Sequence, residues 1–190
     1  MIYIDFDGVI ASTIETICDL YNYDFQYYSN YKRINWWNVD TWEFTELNCA
    51  TPEYIDQYFN QPRFFNNLKL IPNAEFAIQI LLSKYDVCIV SMGNPANLLL
   101  KEKYIRSHPI LGHCKFIGCM FKNHKDKSHI DMSNDIFIDD LASNLETSNA
   151  KTKICFGDDY SWNKDYTGVR CYNWYDVLRY LKLITSITHA

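Results

Sequence analysis

The fold class predicted is α/β, a doubly wound parallel sheet with a small helical lid inserted after the first strand. Three observations predict it. Short apolar strands alternate with helical stretches along most of the chain. Several of those strands stop abruptly in carboxylates or small hydroxyl residues. The interval between the first two such strands is also far longer than the ~30 residues one strand–helix–strand unit needs. Alternating strand and helix implies a parallel sheet with right-handed crossovers. At 190 residues the chain is one domain, or a core with a modest insertion, and can bury a substantial core.

The first strand is Ile2–Tyr3–Ile4, ending in Asp5-Phe6-Asp7-Gly8. A helical start at Ser12 to Tyr23 follows, with a further helix-like run at Pro52 to Phe59. Pro72 to Lys84 returns as an amphipathic helix, with Pro at its start. It leads into a second strand, Asp86 to Val90, which ends in Ser91-Met92-Gly93-Asn94. A third strand, Asp135 to Ile138, ends in Asp139-Asp140. Two short strands come after, Lys153 to Phe156 and Val169 to Tyr172, and Tyr175 to Leu183 closes the chain as a helix. The domain boundaries expected are a catalytic core of 1–11 and 71–190 with a lid of 12–70. No internal repeat or low-complexity tract interrupts this plan.

Bulk properties exclude several classes. A net charge of -5 with no Lys/Arg-rich run argues against general nucleic-acid binding. No apolar stretch approaches membrane-spanning length. Met1 abuts the first strand, which argues against a signal peptide. Seven Cys scattered through strands and helices read as reduced core residues of a cytoplasmic protein. His113, Cys114, Cys119 and His124 lie near one another in sequence, but their spacing fits no common zinc pattern.

The strand ends carry the chemistry. Period-2 alternation turns Asp5 and Asp7 to one side, and Gly8 lets the backbone turn tightly beneath a ligand. Two hard oxygen donors at a strand's C-terminal end suit Mg2+ holding phosphate oxygens. An Asp-rich turn with no ligand is an equal reading of that segment alone. The rest of the chain decides between them. Three strands end, in order, in a carboxylate pair, a hydroxyl with small residues, and a second carboxylate pair. A Lys-bearing stretch, Lys122, Lys125, Asp126 and Lys127, lies before the last.

This order resembles the four motifs of the haloacid dehalogenase superfamily, whose core is Rossmann-like. A closer resemblance is to the 5'(3')-deoxyribonucleotidases. It rests on Phe64-Phe65-Asn66-Asn67-Leu68-Lys69-Leu70-Ile71-Pro72 with Glu75 and Ala77, on Asp126-Lys127-Ser128, on Ser161-Trp162-Asn163, and on Arg170, Asn173, Trp174 and Val177. The chain departs from the animal enzymes at Ser91-Met92-Gly93-Asn94, where they carry Thr-Ser-Pro.

The resemblance implies a Mg2+-dependent phosphatase acting on (deoxy)nucleoside monophosphates. Asp5 would be the nucleophile, forming an aspartyl-phosphate, and Asp7 the acid and base. Asp5, the backbone carbonyl of Asp7, Asp140 and Asp139 would hold Mg2+. Ser91, the backbone N–H of Met92, and Lys127 would bind the phosphoryl oxygens, with Lys125 as the alternative lysine. An acid at position 7 favours phosphatase chemistry, since a dehalogenase has no leaving alcohol to protonate. The alternatives are a phosphatase of another small phosphomonoester or nucleic-acid end, and a non-catalytic nucleotide-binding protein. The expected partner is a small phosphomonoester, with a homodimer left open.

The lid is rich in aromatics, which mostly read as its own core. Trp36, Trp37 and Phe64 are the candidates for contact with a flat substrate such as a nucleobase. Trp36 and Trp37 are adjacent, so both are not expected to face the lid's core.

Overall fold

The computed structural model describes residues 1–185. Its sheet has six strands: β1 Ile2–Asp5, β2 Val87–Gly93, β3 Lys115–Met120, β4 Ile136–Asp139, β5 Thr152–Phe156 and β6 Val169–Cys171. They lie in the order β3-β2-β1-β4-β5-β6, and every pairing is parallel. Strand order reverses beside β1, which pairs with β2 on one edge and β4 on the other. In such a sheet the crevice above the strands' C-terminal ends at this point is the natural ligand site.

The inner strands β1, β2, β4 and β5 are largely buried on both faces, so their side chains alternate between two cores rather than between core and water. Ile2, Ile4, Val87, Ile89, Ile138 and Ile154 join one core. That core also takes in Ala77 and Ile78 of α4 (Ala74–Leu82), Ile105 of α5 (Pro95–Ser107), and Trp174 and Val177 of α7 (Trp174–Tyr180). Tyr3, Cys88, Val90, Phe137 and Cys155 face the other, with Met132 and with Leu145 of α6 (Ala142–Thr147).

Between β1 and α4 the chain makes α1 (Thr13–Phe25), α2 (Pro52–Tyr58) and α3 (Pro62–Asn67). The two ends of this excursion meet. Ser12 N donates to Lys69 O (2.8 Å), Ile71 N donates to Ile10 O (2.8 Å), and Ala11 and Leu70 form an antiparallel bridge. Its interior is aromatic: Tyr21 stacks on Phe25 at 5.1 Å, and Tyr54 meets both Phe25 and Tyr58 edge-on. The Tyr58 hydroxyl donates to Asp24 (2.8 Å), which also receives Arg63 (3.0 Å), so the polar ends of this cluster are satisfied.

The structure departs most from the sequence expectation from the second strand onward. The second strand runs on through Ser91, Met92 and Gly93, because an additional edge strand, β3, pairs with it as far as Met120. The chain after Asn94 forms α5, a full-length helix with Pro95 in its first turn and the Asn94 side chain accepting from Asn97 N. No helix among the described residues is long and apolar enough to cross a membrane. All seven cysteines are free, and all but Cys49 are buried.

Candidate active site

The C-terminal ends of β1, β2 and β4 converge on one carboxylate cluster. Oxygens of Asp5, Asp139 and Asp140 all lie within 4.8 Å of one another, and all three residues are buried. Lys127, 1 % exposed, bridges Asp5 and Asp139, with Nζ 2.6 Å from Asp139 Oδ2. The alternative, Lys125, is exposed. Asp139 is fixed from its far side by Leu141 N (2.8 Å) and Asn144 Nδ2 (3.1 Å).

Asp7 is held apart from this cluster. Its carboxylate receives Thr13 Oγ1 (2.8 Å), Ser91 Oγ (3.2 Å) and the ammonium of Lys101. Lys101, 2 % exposed, also donates to Ser91 Oγ (2.8 Å) and Met92 O (3.1 Å). The site thus contains two buried Lys–Asp pairs side by side, one built on each carboxylate of the Asp5–Asp7 motif.

Asp140 has a separate scaffold. Trp162 Nε1 donates to its Oδ2 (3.1 Å), and Asn163 Nδ2 donates to its backbone carbonyl (3.0 Å). Arg170 in turn donates to Asn163 O at 2.5 Å. Trp174 Nε1 reaches Val9 O (3.1 Å) and so pins the turn that follows Asp7. Gly8 at the head of that turn has φ +72, and a Cβ there would sit 2.5 Å from Asp140 Oδ2. Only glycine fits both constraints.

The electrostatics indicate an unbalanced negative charge. Burial pushes the Asp5 carboxyl up to about 7, with Asp139 and Asp7 adding to the rise and Lys127 opposing it. Burial, then Asp139 and Asp5, drive Asp140 well above the ordinary carboxylate range. Burial works against the charge on Lys127, but Asp139 and Asp5 outweigh it and hold the ammonium protonated. One lysine among three converging carboxylates leaves room for a cation. The donors are hard oxygens, so Mg2+ or a similar ion fits the set. Among the described residues no other group of three metal-binding side chains converges. His113, Cys114, Cys119 and His124 do not assemble a site; Cys119 instead faces His129 Nε2 at 3.7 Å.

A cavity of about 520 Å³ opens beside this cluster, floored by Gly8 and Asp140 and walled by Trp36, Tyr160, Tyr172 and Tyr175. Of the three aromatic candidates, the structure brings only Trp36 to this cavity. Trp37, 62 % exposed, lines a separate groove with Asp19 and Arg33. Phe64 is corrected outright as a ligand contact: it is 0 % exposed and packs between Phe59 and Phe65. Sequence reasoning missed Lys101, Thr13, Asn144 and the role of Trp162. For Lys101 a signal was present. Asn97, Leu98, Lys101 and Ile105 form the buried stripe of α5 at helical spacing, and a lysine in such a stripe requires a buried partner.

A family model described as "5' nucleotidase, deoxy (Pyrimidine), cytosolic type C protein" matches residues 1–186. The chain belongs to this family. A 5'(3')-deoxyribonucleotidase of Bacillus subtilis (strain 168) is 26 % identical over 185 residues, covering 95 % of this chain and 98 % of the relative. The fold of this nucleotidase-family chain recurs in a haloacid dehalogenase-family hydrolase of Deinococcus radiodurans R1, solved with bound phosphate and sodium. That pair has a TM-score of 0.66 at 12 % identity, covering 97 % of this chain and 96 % of the other. A haloacid dehalogenase-like hydrolase of Streptococcus pneumoniae superposes with a TM-score of 0.61, at 12 % identity and 95 % and 97 % coverage. The chain is therefore a phosphomonoester hydrolase of the 5'-nucleotidase type, with the fold of haloacid dehalogenase-like hydrolases.

Proposed function

We propose that this chain hydrolyses (deoxy)nucleoside monophosphates by way of an aspartyl-phosphate on Asp5, with Mg2+ as cofactor, and that residues 12–70 act as its lid. The observation that carries the reading is the cavity, which runs from Gly8 and Asp140, the member of the carboxylate cluster that lines it, to the aromatic wall at Trp36. Its volume lies in the range of sites that enclose a small organic molecule.

Asp5 is the nucleophile in this reading because its carboxylate stands at the C-terminal end of β1 within the carboxylate cluster, held by Lys127. Asp5, the Asp7 carbonyl and Asp140 would hold Mg2+, with Asp139 adding charge and steadying Lys127. When bound, the ion neutralises charge on the phosphoryl oxygens. Lys127, Ser91 and the Met92 N–H would orient those oxygens. Asp7 protonates the leaving alcohol and then deprotonates the attacking water, from a position set by Thr13, Ser91 and Lys101.

Phosphate release measured over deoxynucleoside monophosphates, sugar phosphates and 3'-phosphorylated oligonucleotides, with and without Mg2+ after chelation, tests the reading. Fastest release from the monophosphates, and only with the metal, is expected. Preference for a sugar phosphate or an oligonucleotide end would assign the cavity to another ester, and full activity after chelation would remove the metal.

A further inference from the structure

We propose that Trp162 is a positioning residue that ties the seating of the 36–42 segment to the carboxylate of Asp140. The inference rests on the reading of Asp140 as a cation ligand and deepens it. Three consecutive residues of the loop after β5 each grip a different partner. Ser161 grips the excursion: its N donates to Asp40 Oδ1 (3.1 Å) and its hydroxyl to Asp40 O. Trp162 grips the Asp140 side chain through Nε1 (3.1 Å), and Asn163 grips the Asp140 backbone (3.0 Å). The indole of Trp162 is itself clamped. Tyr160 lies parallel to it at 4.4 Å and 3°, while Trp42 meets it nearly perpendicular at 5.7 Å.

The orientation of the one donor that the described residues place on Asp140 Oδ2 is therefore shared between the core, through Tyr160, and the excursion, through Trp42. Partners that orient a ligand's second oxygen commonly tune metal affinity by about 10–100-fold. The same segment carries Trp36, which lines the cavity beside Asp140. A substrate that seats the 36–42 segment thereby also seats the indole that aims Asp140, and the coupling runs equally from metal to segment. The contacts are half exposed, with Trp42 at 41 %, so the latch belongs to the low-stability end of the fold.

The test uses the full chain and Mn2+ alone as the probe, with free Mn2+ counted by electron paramagnetic resonance. Trp162→Phe keeps an aromatic ring and removes the N–H; it should weaken Mn2+ binding about tenfold or more. Trp42→Ala touches no ligand, yet should weaken binding several-fold. In the Trp162→Phe background the Trp42→Ala loss should vanish, because its route to the metal is gone. Wild-type affinity in Trp162→Phe, or an undiminished Trp42→Ala effect in both backgrounds, overturns the proposal. A purely structural Trp42 would lower the melting temperature and leave Mn2+ affinity unmoved, which also overturns it. Should Trp162→Phe fail to fold by circular dichroism, Trp42→Ala alone decides, by the same affinity reading. Absence of Mn2+ binding in the wild type is a different failure: it rejects the cation site itself, and the coupling with it.

Discussion

Lys101 and Asp5 show how much one residue's surroundings decide. Lys101 sits on Asp7, Ser91 Oγ and Met92 O from within the sheet–helix interface, so its loss strands a buried carboxylate. Removing one partner of a buried pair costs roughly 3–5 kcal/mol. Lys101→Met is therefore expected to lower stability by that order. It should also cut kcat on a nucleoside monophosphate about 100-fold and cost p-nitrophenyl phosphate clearly less, since that leaving group needs no proton although the water step still uses Asp7. Equal losses on the two esters would detach Lys101 from the acid. At Asp5 the expectation concerns pH. Its ordinary value is about 3.9, and in the fold it stands at about 7. Between those values the folded protein binds more protons than the unfolded chain, so stability is fully present below about 4 and declines as pH rises toward 7. Melting temperatures in chelator should fall across that window, and Asp5→Asn should flatten the fall while abolishing turnover. A flat profile in the wild type would contradict the charge crowding described for Asp5 and Asp140. The Asp5–Asp7 pair, Ser91 and the Asp139–Asp140 pair were legible in the sequence because strand ends and period-2 spacing advertise them. Thr13 and Lys101 were not, since each reaches Asp7 from a helix, across distances that only the packed sheet defines.

Among the elements, the turn after β1 is the most constrained. Gly8 has φ +72, and an added Cβ would lie 2.5 Å from Asp140 Oδ2. Gly8→Ala is expected to destabilise the protein by about 1–3 kcal/mol through backbone strain alone. It should also shift Asp140 and weaken divalent-cation binding, both measurable by thermal unfolding with and without Mg2+. An unchanged melting temperature would mean that the turn relaxes around the new methyl group. The apolar strands β1, β2, β4 and β5 were readable from unbroken Val/Ile/Cys/Phe runs. The β3 edge was not: Lys115, Gly118 and a partly exposed Phe116 and Ile117 dilute the run, because an edge strand buries less. The helix after Asn94 escaped notice for a related reason, since Lys101 and Asn97 break the apolar stripe that they in fact occupy.

For the whole molecule, the proposed reading makes specificity a matter of how the 12–70 excursion sits over the sheet. The parallel, doubly wound plan followed from strand–helix alternation, whereas the sheet order and the cavity between excursion and core have no local signature in the chain. Trp36 is the test of that cavity. Stacking on a base is worth ~1–3 kcal/mol, so Trp36→Ala should lower kcat/KM on nucleoside monophosphates by about 5–150-fold. On p-nitrophenyl phosphate the change should be small, since that ester never made the contact. Parallel losses on both would assign Trp36 to packing. The paired chain ends beneath the excursion carry a mechanical consequence. Residues 10–12 and 69–71 run side by side, joined by Ser12 N–Lys69 O, Ile71 N–Ile10 O and the Ala11–Leu70 bridge. A two-stranded ribbon flexes readily across its flat face but resists shear in its own plane. To swing about this ribbon like a door on its hinge, the excursion would have to release the Asn97 Nδ2–Phe59 O hydrogen bond (2.7 Å) on one side and the Asp40–Ser161 and Trp42–Trp162 contacts on the other, which stand where a doorframe would carry its catches.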